Sequence, residues 1–388
     1  MAQAIRPSYP LFDWLRFVLA SLVFMEHAQI VGGMLPGYFA VQVFFALSGW
    51  LIGGILINMQ ASDLPRFFFN RATRIWIPYF FAVFLLYSFA LLKEGVAPYY
   101  FRSLLSDVTL THNWFIKKVP EVLSAMPMQG TGAHFWSIAV EEQFYLVAPI
   151  LIFFTPVRKS VVAWTALTAI AILSGSLFGA ISGGVLAVIL NQRWPHFYSG
   201  KAAQVGLFTA LLVMVAASWI WPQSYSYLLP LISVAIVLLL VRPGPRGALG
   251  MTLGGLSFPM YLNHWIGIFA GNALLSKVPA IGKLGAMGVG YGFAVISAAG
   301  IYWLIDRNVM RYRDAWYTAL RGKGAMTVAY SLLIVGVIMG AFVLGPINSA
   351  PMRKMDQISA VASVHLIMLD ALKGDLDHAQ TSGPTTVE

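Results

Sequence analysis

The sequence predicts an all-α integral membrane protein, a polytopic helical bundle of about 10–11 transmembrane helices. Of its 388 residues, 59% are hydrophobic and only 10% are charged, and the mean hydropathy is +0.74. Apolar runs of about 20 residues recur from one end of the chain to the other, and each is about long enough to cross a hydrocarbon core ~30 Å thick. We therefore expect the lipid bilayer to surround most of the chain, with no room for a large soluble domain.

Hydropathy divides the chain into eleven predicted spans. Ten belong to one transmembrane domain over residues 1–324, the eleventh is a helix at 325–346, and 347–388 form a tail expected to be partly disordered. The predicted spans are 11–31, 38–58, 75–92, 134–155, 160–175, 177–191, 203–221, 225–241, 251–274, 284–305 and 325–346. The fifth and sixth come from one apolar stretch, 161–190, which predicts either one long tilted helix or two short ones.

The basic residues predict the orientation of these spans. The net charge is +10, and the arginines and lysines fall between spans, which indicates membrane topology rather than nucleic-acid binding. If 161–190 forms two helices, the basic connections all face one side of the membrane. One helix would instead place the most basic connection, 307–323, on the outer side. The positive-inside rule therefore favours two helices, a cytoplasmic N-terminus and an extracytoplasmic tail.

Composition and motifs exclude several kinds of site. The chain contains no cysteine, which excludes disulfides, thiolate nucleophiles and zinc sites built from cysteine. Its seven histidines show no metal-ligand spacing, and the G-x-S-x-G, P-loop and H-E-x-x-H motifs are absent. We therefore expect no metal and no nucleic-acid partner.

The longest connection, Lys93 to Ala133, is too long to be a plain connector. It contains Tyr99, Tyr100, Trp114, Lys117 and Lys118. Two interpretations are open at this stage: a cap over the mouth of a substrate site, or a variable surface loop.

The first span carries four titratable side chains, and charge within hydrocarbon is expensive enough to indicate function. Arg16 and His27 are eleven residues apart, which is about 16 Å along a helix axis and brings both onto one face. We expect a buried imidazole near the outer end that acts as a general base, with Glu26 either orienting the ring or serving another neighbour. Asp13 is the predicted partner of Arg16. The alternative is an interfacial Asp–Arg pair and a histidine packed between helices.

Arg71 and Arg74 precede the third span. Three residues apart, they lie on one helix face at the cytoplasmic surface, and guanidinium groups suit phosphate. The alternative is ordinary anchoring at the membrane surface, which this feature alone favours slightly.

The fourth span places Ser137, Glu141 and Tyr145 on one helix face at i, i+4 and i+8. Since this span runs from outside to inside, we expect Glu141 at a depth similar to that of His27. Glu142 follows directly, and two adjacent carboxylates in a span indicate function more than packing.

The ninth span carries Tyr261 and His264 near mid-membrane. They either line the same cavity or pack between helices, and the sequence does not decide between these interpretations.

Taken together, these segments resemble the acyltransferase-3 family of membrane-integral acyltransferases, whose members O-acylate glycans, lipids and small molecules. The resemblance covers most of residues 10 to 310. It rests on Phe12-Asp13-Trp14-Leu15-Arg16 with His27, Phe44-Phe45-Ala46-Leu47-Ser48-Gly49, Arg71-Ala72-Thr73-Arg74 with Pro78, Trp136-Ser137 with Glu141-Glu142 and Phe144-Tyr145, and Tyr261-Leu262-Asn263-His264-Trp265. Only about forty residues follow the eleventh span, so we expect no fused SGNH-type esterase domain.

The resemblance implies an O-acyltransferase of the bacterial inner membrane. It would move an acyl group, expected to be acetyl, from cytoplasmic acyl-CoA to a hydroxyl of an extracytoplasmic glycan. The resemblance implies His27 as the essential base and Arg71 and Arg74 as donor-binding residues. The placement of charge in the spans adds Glu26, Glu141 and Glu142 as candidate catalytic residues and Arg16 as a candidate donor-binding residue. The expected cavity residues are Asp13, Ser137, Tyr145, Tyr261 and His264.

Two alternatives stay open. One is acylation of a small metabolite or a lipid. The other is a proton-coupled glycan or lipid transporter, which would also use intramembrane histidine and glutamate.

Overall fold

A computed structural model describes residues 8–31, 37–116 and 120–343. Within these ranges the chain is helical and contains no β-strand, which confirms the all-α prediction. The predicted tail at 347–388 lies outside the described residues, as do Lys117 and Lys118 of the long connection.

The α-helices of the described residues are numbered here in chain order. They are α1 Pro10–His27, α2 Gly37–Asn58, α3 Leu64–Arg71, α4 Ile77–Glu94, α5 Tyr100–Val108, α6 His112–Phe115, α7 Pro120–Ala125, α8 Trp136–Phe154, α9 Val161–Leu173, α10 Gly179–Arg193, α11 Lys201–Ile220, α12 Tyr225–Leu240, α13 Ala248–Asn263, α14 Trp265–Lys277, α15 Gly282–Ile301, α16 Arg307–Trp316 and α17 Ala319–Ile338. Two π-helical segments, Ala72–Trp76 and Tyr302–Asp306, join α3 to α4 and α15 to α16.

The helices follow the predicted spans. In the described residues, seven helical stretches are long and apolar enough to cross a membrane, and each falls on a predicted span. They are Gly37–Asn58, Ala61–Glu94, Pro127–Phe154, Lys201–Ile220, Pro222–Leu240, Pro279–Trp316 and Ala319–Phe342. The shorter helices α1, α9 and α10, and the pair α13 and α14, occupy the other predicted positions.

The stretch 161–190 forms two helices, as the distribution of charge favours. Gly175 adopts a positive φ of 68° just after α9, and the amide of Ser176 donates to the carbonyl of Ala171 at 2.8 Å. This is the glycine-terminated end expected of a finished helix. The short α10 packs closely on α2, since a Cβ added at Gly184 would collide with the Ala46 carbonyl oxygen. Small residues permit such close backbone approach between membrane helices.

The ninth predicted span is broken at His264, between α13 and α14. Side chains hydrogen-bond to backbone carbonyls in the last turn of α13. Asn263 donates to Pro259 O at 3.1 Å, and the ring Nδ1 of His264 lies 2.8 Å from Tyr261 O. When side chains bond to these carbonyls, the regular helical ladder is interrupted. The break leaves the ring of His264 inside the bundle, where it is 2% exposed.

The long connection enters the bundle. Asp107 and His112 have no exposed surface. The hydroxyls of Tyr79 and Tyr87, both on α4, donate to the backbone oxygen (2.9 Å) and the side chain (2.6 Å) of Asp107. Gln143 of α8 donates to the carbonyl of Leu110 at 2.9 Å. The interpretation as a surface loop is therefore wrong for the part of the connection that is buried, which consists of Tyr100, Ser103, Ser106, Asp107 and 109–112.

Basic connections gather at one end of the bundle. Arg158 donates to the carbonyls of Ile57 and Met59, which end and follow α2. Arg66 pairs with Asp314 at 2.8 Å. We call this the basic end. The chain enters there as well, because Ser8 donates to Gly244 O at 2.6 Å, and α1 carries it to the opposite end.

Candidate active site

Three histidines from distant parts of the chain meet at the end opposite the basic end. His27 ends α1, His134 lies in the short 3-10 segment Pro127–Phe135, and His264 occupies the break after α13. The His264 ring centroid is 4.8 Å from that of His27 and 4.7 Å from that of His134. The rings of His27 and His134 are 6.4 Å apart. His264 therefore lies between the other two rings.

Backbone carbonyls orient the rings of His27 and His264. Nδ1 of His27 lies 2.8 Å from Val23 O, and Nδ1 of His264 lies 2.8 Å from Tyr261 O. A carbonyl only accepts, so in the neutral ring Nδ1 carries the hydrogen and Nε2 carries the lone pair. For His27 this tautomer makes Nε2 the basic nitrogen, as a general base requires.

His134 is held at both ring nitrogens. Nδ1 lies 3.0 Å from Thr131 O and Nε2 lies 3.1 Å from Leu262 O. A neutral imidazole has one N–H and satisfies only one of these carbonyls, whereas an imidazolium satisfies both. The two contacts therefore fix the orientation of the ring.

The expectation of a buried imidazole at His27 is wrong. His27 is exposed, whereas His134 and His264 are only 3% and 2% exposed. The reason is the end of the helix: Gln29 adopts a positive φ of 54°, and the amide of Ile30 donates to Met25 O at 2.9 Å. The chain turns away at that point and leaves His27 accessible in front of two buried rings.

Glu26 serves a different neighbour from His27. Its carboxylate packs so closely on Gly37, the first residue of α2, that a Cβ added there would collide with Glu26 Oε2. The N-terminus of a helix carries partial positive charge and attracts a carboxylate. Glu26 therefore couples the end of α1 to the start of α2.

Below the histidines, α8 presents a line of polar side chains. The hydroxyls of Ser137 and Tyr261 hydrogen-bond to each other, and they lie 3.2 and 3.1 Å from His134 O. Because each hydroxyl has one hydrogen, one of them donates to the other hydroxyl and the second donates to the carbonyl. One turn further along α8, Glu141 accepts a hydrogen bond from Ser48 of α2.

Glu141 lies deeper than predicted. It is within electrostatic range of Arg71 and Arg16, and Tyr145 bonds to it from the next turn. The expected equivalence of depth with His27 is therefore wrong. His134 lies seven residues before Glu141 and occupies the level of His27. The helical segment Pro127–Phe135 precedes α8, and the predicted span, which began at 134, left out most of it.

Glu142 faces another direction. It is 3% exposed, and its Oε2 accepts a hydrogen bond from the indole N–H of Trp76 at 2.8 Å. The other carboxylate oxygen has no hydrogen-bond partner among the described residues. Glu142 joins α8 to the π-helical segment that carries Arg74.

The predicted donor-binding arginines gather toward the basic end. Arg74 is within electrostatic range of Arg71 and Arg16. The guanidinium of Arg71 lies 5.7 Å from the ring centroid of Tyr145. Arg74 is exposed, so this positive cluster is open to an anionic ligand.

Asp13 has a stronger partner than the one the sequence predicts. It lies 3.6 Å from Arg16, but Arg246 donates to both its oxygens at 2.5 Å. Asp13 is only 2% exposed, and such a two-pronged pair is strong and directional. The connection before α13 is thereby tied to α1.

The structure thus assembles one polar line through an apolar bundle, which we call the polar column. In order from the histidines to the arginines its members are His27, His264, His134, Tyr261, Ser137, Ser48, Glu141, Tyr145, Arg71, Arg16 and Arg74. From Ser137 to Tyr145 the column follows eight residues of α8, about 12 Å.

Sequence reasoning did not assign site roles to three residues of this region, His134, Ser48 and Arg246. Ser48 stands in a segment that carries the family resemblance, and His134 lies two residues before another such segment, which begins at Trp136. Arg246 counted only as a basic residue between spans. No spacing rule links these residues to their partners, because each partner lies on a different helix.

The described residues contain no group of three or more side chains arranged to hold a metal ion. The histidine cluster agrees with this, since four of its six ring nitrogens face backbone carbonyls. Two cavities of the structure lie elsewhere: a small enclosed one beside Gln42 and Ser226, and a larger groove beside Trp76 and Arg321.

Comparison with known proteins gives consistent matches. The family profile described as an acyltransferase domain, Acyl_transf_3, matches residues 9–202, which is half of the chain. A putative membrane-bound transacylase, BcsY, from Komagataeibacter xylinus is 24% identical over 84% of this chain and 89% of its own length. The O-acetyltransferase OatA of Staphylococcus aureus is 27% identical over 56% of this chain.

The peptidoglycan O-acetyltransferase OatA of Listeria monocytogenes is 28% identical over 37% of this chain. The matched regions cover 35% and 24% of the two OatA proteins, so the chain spans only a part of those relatives. No solved structure matches.

Proposed function

The chain belongs to the acyltransferase-3 family of membrane acyltransferases, and from that premise we propose an O-acyl transfer across the bilayer. The donor is cytoplasmic acyl-CoA, with acetyl as the acyl group. The acceptor is a hydroxyl of an extracytoplasmic glycan. The protein is a multi-pass protein of the bacterial inner membrane with its basic end in the cytoplasm, as the positive-inside rule favours.

The observation that carries this proposal is the polar column. A bundle in hydrocarbon tolerates buried polar and charged groups only where they pair or line a functional path. Here such groups extend from an accessible histidine at one end to an open arginine cluster at the other. This arrangement suits a reaction whose two substrates arrive from opposite sides.

At the basic end, Arg16, Arg71 and Arg74 bind the phosphates of the donor. Guanidinium groups suit phosphate because they donate several hydrogen bonds in a fixed plane. The pantetheine arm then extends along the polar column toward His27. Arg16 and His27 are about 16 Å apart along α1, a distance that an extended arm can cover.

At the opposite end, His27 acts as the general base. Its Nε2 takes the proton of the acceptor hydroxyl, and the oxygen attacks the thioester carbonyl. The C–S bond breaks, the new ester forms, and the thiolate of coenzyme A takes the proton from the imidazolium. General-base help of this kind supplies typically 10²–10⁴-fold.

His264 and His134 support this step through His27 and do not contact the acceptor themselves. Both are buried behind His27, and a neighbouring lone pair stabilises the imidazolium that forms at His27. Glu141 and Glu142 were expected near the histidine. Their contacts with Ser48 and Trp76 suit a different role, which is holding α2, α4 and α8 in register around the path of the arm.

The relatives support a glycan as the acceptor, since one of them is named a peptidoglycan O-acetyltransferase. Acylation of a small metabolite or a lipid is the alternative within enzymes. A proton-coupled transporter would use similar intramembrane groups, but the acyltransferase names of the relatives favour chemistry over transport.

The test is reconstitution of the purified protein in liposomes with labelled acetyl-CoA on the side of the basic end and a glycan acceptor on the other side. We expect free coenzyme A to appear in step with an ester on the acceptor, without any ion gradient. A result in which the acceptor crosses the membrane chemically unchanged, and only with a gradient, would refute the proposal.

A further inference from the structure

A groove runs along the outer surface of the bundle between the helix 61–94 and α17. Its volume is about 470 Å³. We call it the lateral groove. Residues that line it include Phe69, Ala72, Trp76, Phe80, Ala325 and Arg321.

The lateral groove starts at the basic end. α3 and α17 run side by side there, since a Cβ added at Gly322 would collide with Pro65. Arg321 lies next to this contact. From Phe69 to Phe80 the groove follows eleven residues, about 16 Å of helix. This is roughly half of a ~30 Å hydrocarbon core, the depth of one leaflet.

The lining has the chemistry of a lipid site. Thr73 is a polar residue in it, and its hydroxyl is occupied by a 2.9 Å bond to Phe69 O. The charged lining residue is Arg321, which is exposed and donates through one nitrogen to Trp316 O at 2.7 Å. In the described part of the chain no carboxylate pairs with Arg321, whereas Arg66 nearby is paired with Asp314. An apolar channel one leaflet deep with a cation at its mouth matches a lipid tail below an anionic headgroup.

We propose that the lateral groove binds one anionic phospholipid of the leaflet at the basic end. An acyl chain lies along Phe69, Trp76 and Phe80, and the phosphate contacts the guanidinium of Arg321. Basic residues at a membrane surface attract anionic lipid, and the groove adds a place for the chain that bulk lipid does not have.

The site is connected to the interior through Trp76. One side of this indole lines the groove, while its N–H donates to Glu142 at 2.8 Å. Trp76 also ends the π-helical segment that contains Arg74. A lipid packed on Trp76 therefore steadies the segment that carries the arginines, although binding itself does not depend on the proposed catalytic function.

The experiment compares lipid binding by the full chain in nanodiscs of phosphatidylcholine with and without phosphatidylglycerol, using native mass spectrometry after mild delipidation. Arg321→Gln removes the cation, and Ala325→Trp fills the groove. Lys323→Gln is the matched control, because it removes one charge from the same helix at an exposed position that does not line the groove.

We expect wild type and Lys323→Gln to retain one phosphatidylglycerol, and Arg321→Gln to retain it about fivefold more weakly, which corresponds to one basic contact. Ala325→Trp should lose it altogether. If Ala325→Trp fails to fold, the comparison of Arg321→Gln with Lys323→Gln decides the question. Equal retention by Arg321→Gln and wild type, equal weakening by both charge variants, or equal retention of phosphatidylcholine would overturn the proposal.

Discussion

The imidazole of His264 lies 4.8 Å, centroid to centroid, from the imidazole of His27. His264 is 2% exposed, whereas His27 is exposed. The pair therefore consists of an accessible ring backed by a buried one, and this asymmetry assigns them different roles. The first two predictions separate those roles.

His27→Gln should lower the rate of acyl transfer by about 10²–10⁴-fold, because it removes the general base. Membrane insertion should be unaffected, because an exposed residue in the last turn of α1 contributes little to packing. The rate is measured as coenzyme A release with acceptor present. His196→Asn is the control: His196 is an exposed histidine with a positive φ of 60°, and asparagine tolerates that conformation. Near-normal product from His27→Gln would refute the base assignment.

His264→Asn should lower kcat by about tenfold or more and leave the KM for acyl-CoA unchanged. The buried ring acts only when His27 becomes charged, so its loss affects the transition state more than donor binding. Asparagine keeps a donor for Tyr261 O and so preserves the helix break. Steady-state kinetics at several acetyl-CoA concentrations test this prediction. A change in KM with kcat intact would indicate a role in donor binding instead.

Arg71→Gln and Arg74→Gln should raise the KM for acetyl-CoA about tenfold or more, since a charge-assisted contact to phosphate contributes about 1.5–3 kcal/mol. Acetyl-pantetheine has the same thioester arm but lacks the nucleotide phosphates, so both variants should use it as well as wild type does. Arg242→Gln is the control, because Arg242 is an exposed arginine of the basic end whose described contact is a 3.4 Å bond to Gln204. If the KM for acetyl-pantetheine rises as much as the KM for acetyl-CoA, the arginines do not bind the phosphates.

Asp13→Asn should destabilise the protein by about 1–3 kcal/mol. The carboxylate is 2% exposed, and its loss leaves Arg16 and Arg246 facing each other, although the exposure of Arg246 (41%) moderates the effect. A double-mutant cycle with Arg246→Gln should give a coupling of about 1 kcal/mol or more. Thermal unfolding in detergent supplies the free energies. Strict additivity of the two variants would contradict the pairing.

Gly184→Ala should lower the thermal midpoint, because the added Cβ meets the Ala46 carbonyl and forces α10 away from α2. Overpacking of this kind typically costs about 1–3 kcal/mol. Gly206→Ala is the matched control on α11, since a Cβ there has nothing within 4 Å. That variant should be neutral or slightly stabilised, because alanine restricts the unfolded chain. Equal thermal midpoints for the two variants would show that the α2–α10 contact accommodates the added methyl group.

Much of the fold is predictable because hydropathy and charge act locally along the chain. The helices at the predicted span positions, the division of 161–190 and the gathering of basic connections at one end all follow from such local signals. Site residues were identified by type for the same reason: a carboxylate or histidine in an apolar span stands out on its own. His27 and Glu141 were predicted in this way.

The relations between those residues were harder to predict. Glu26 was expected to help His27, yet it contacts Gly37, because adjacent residues of a helix point about 100° apart. Arg246 pairs with Asp13 from a connection more than two hundred residues later. His134 lies in a short 3-10 segment at the edge of a predicted span, where hydropathy gives no indication of a site.

The sequence alone determined that this chain spans a membrane many times, which of its ends is basic, and which side chains are too polar to be there for packing. These properties follow from transfer between water and lipid, which adds up residue by residue. The tertiary structure alone decided that three histidines converge, that Glu141 lies nearer the arginines than the histidines, and that a lateral groove opens beside Trp76. Those outcomes depend on how closely glycines let helices approach and on where side chains bond to backbone carbonyls and interrupt a helix, and neither quantity is a sum over neighbours in sequence.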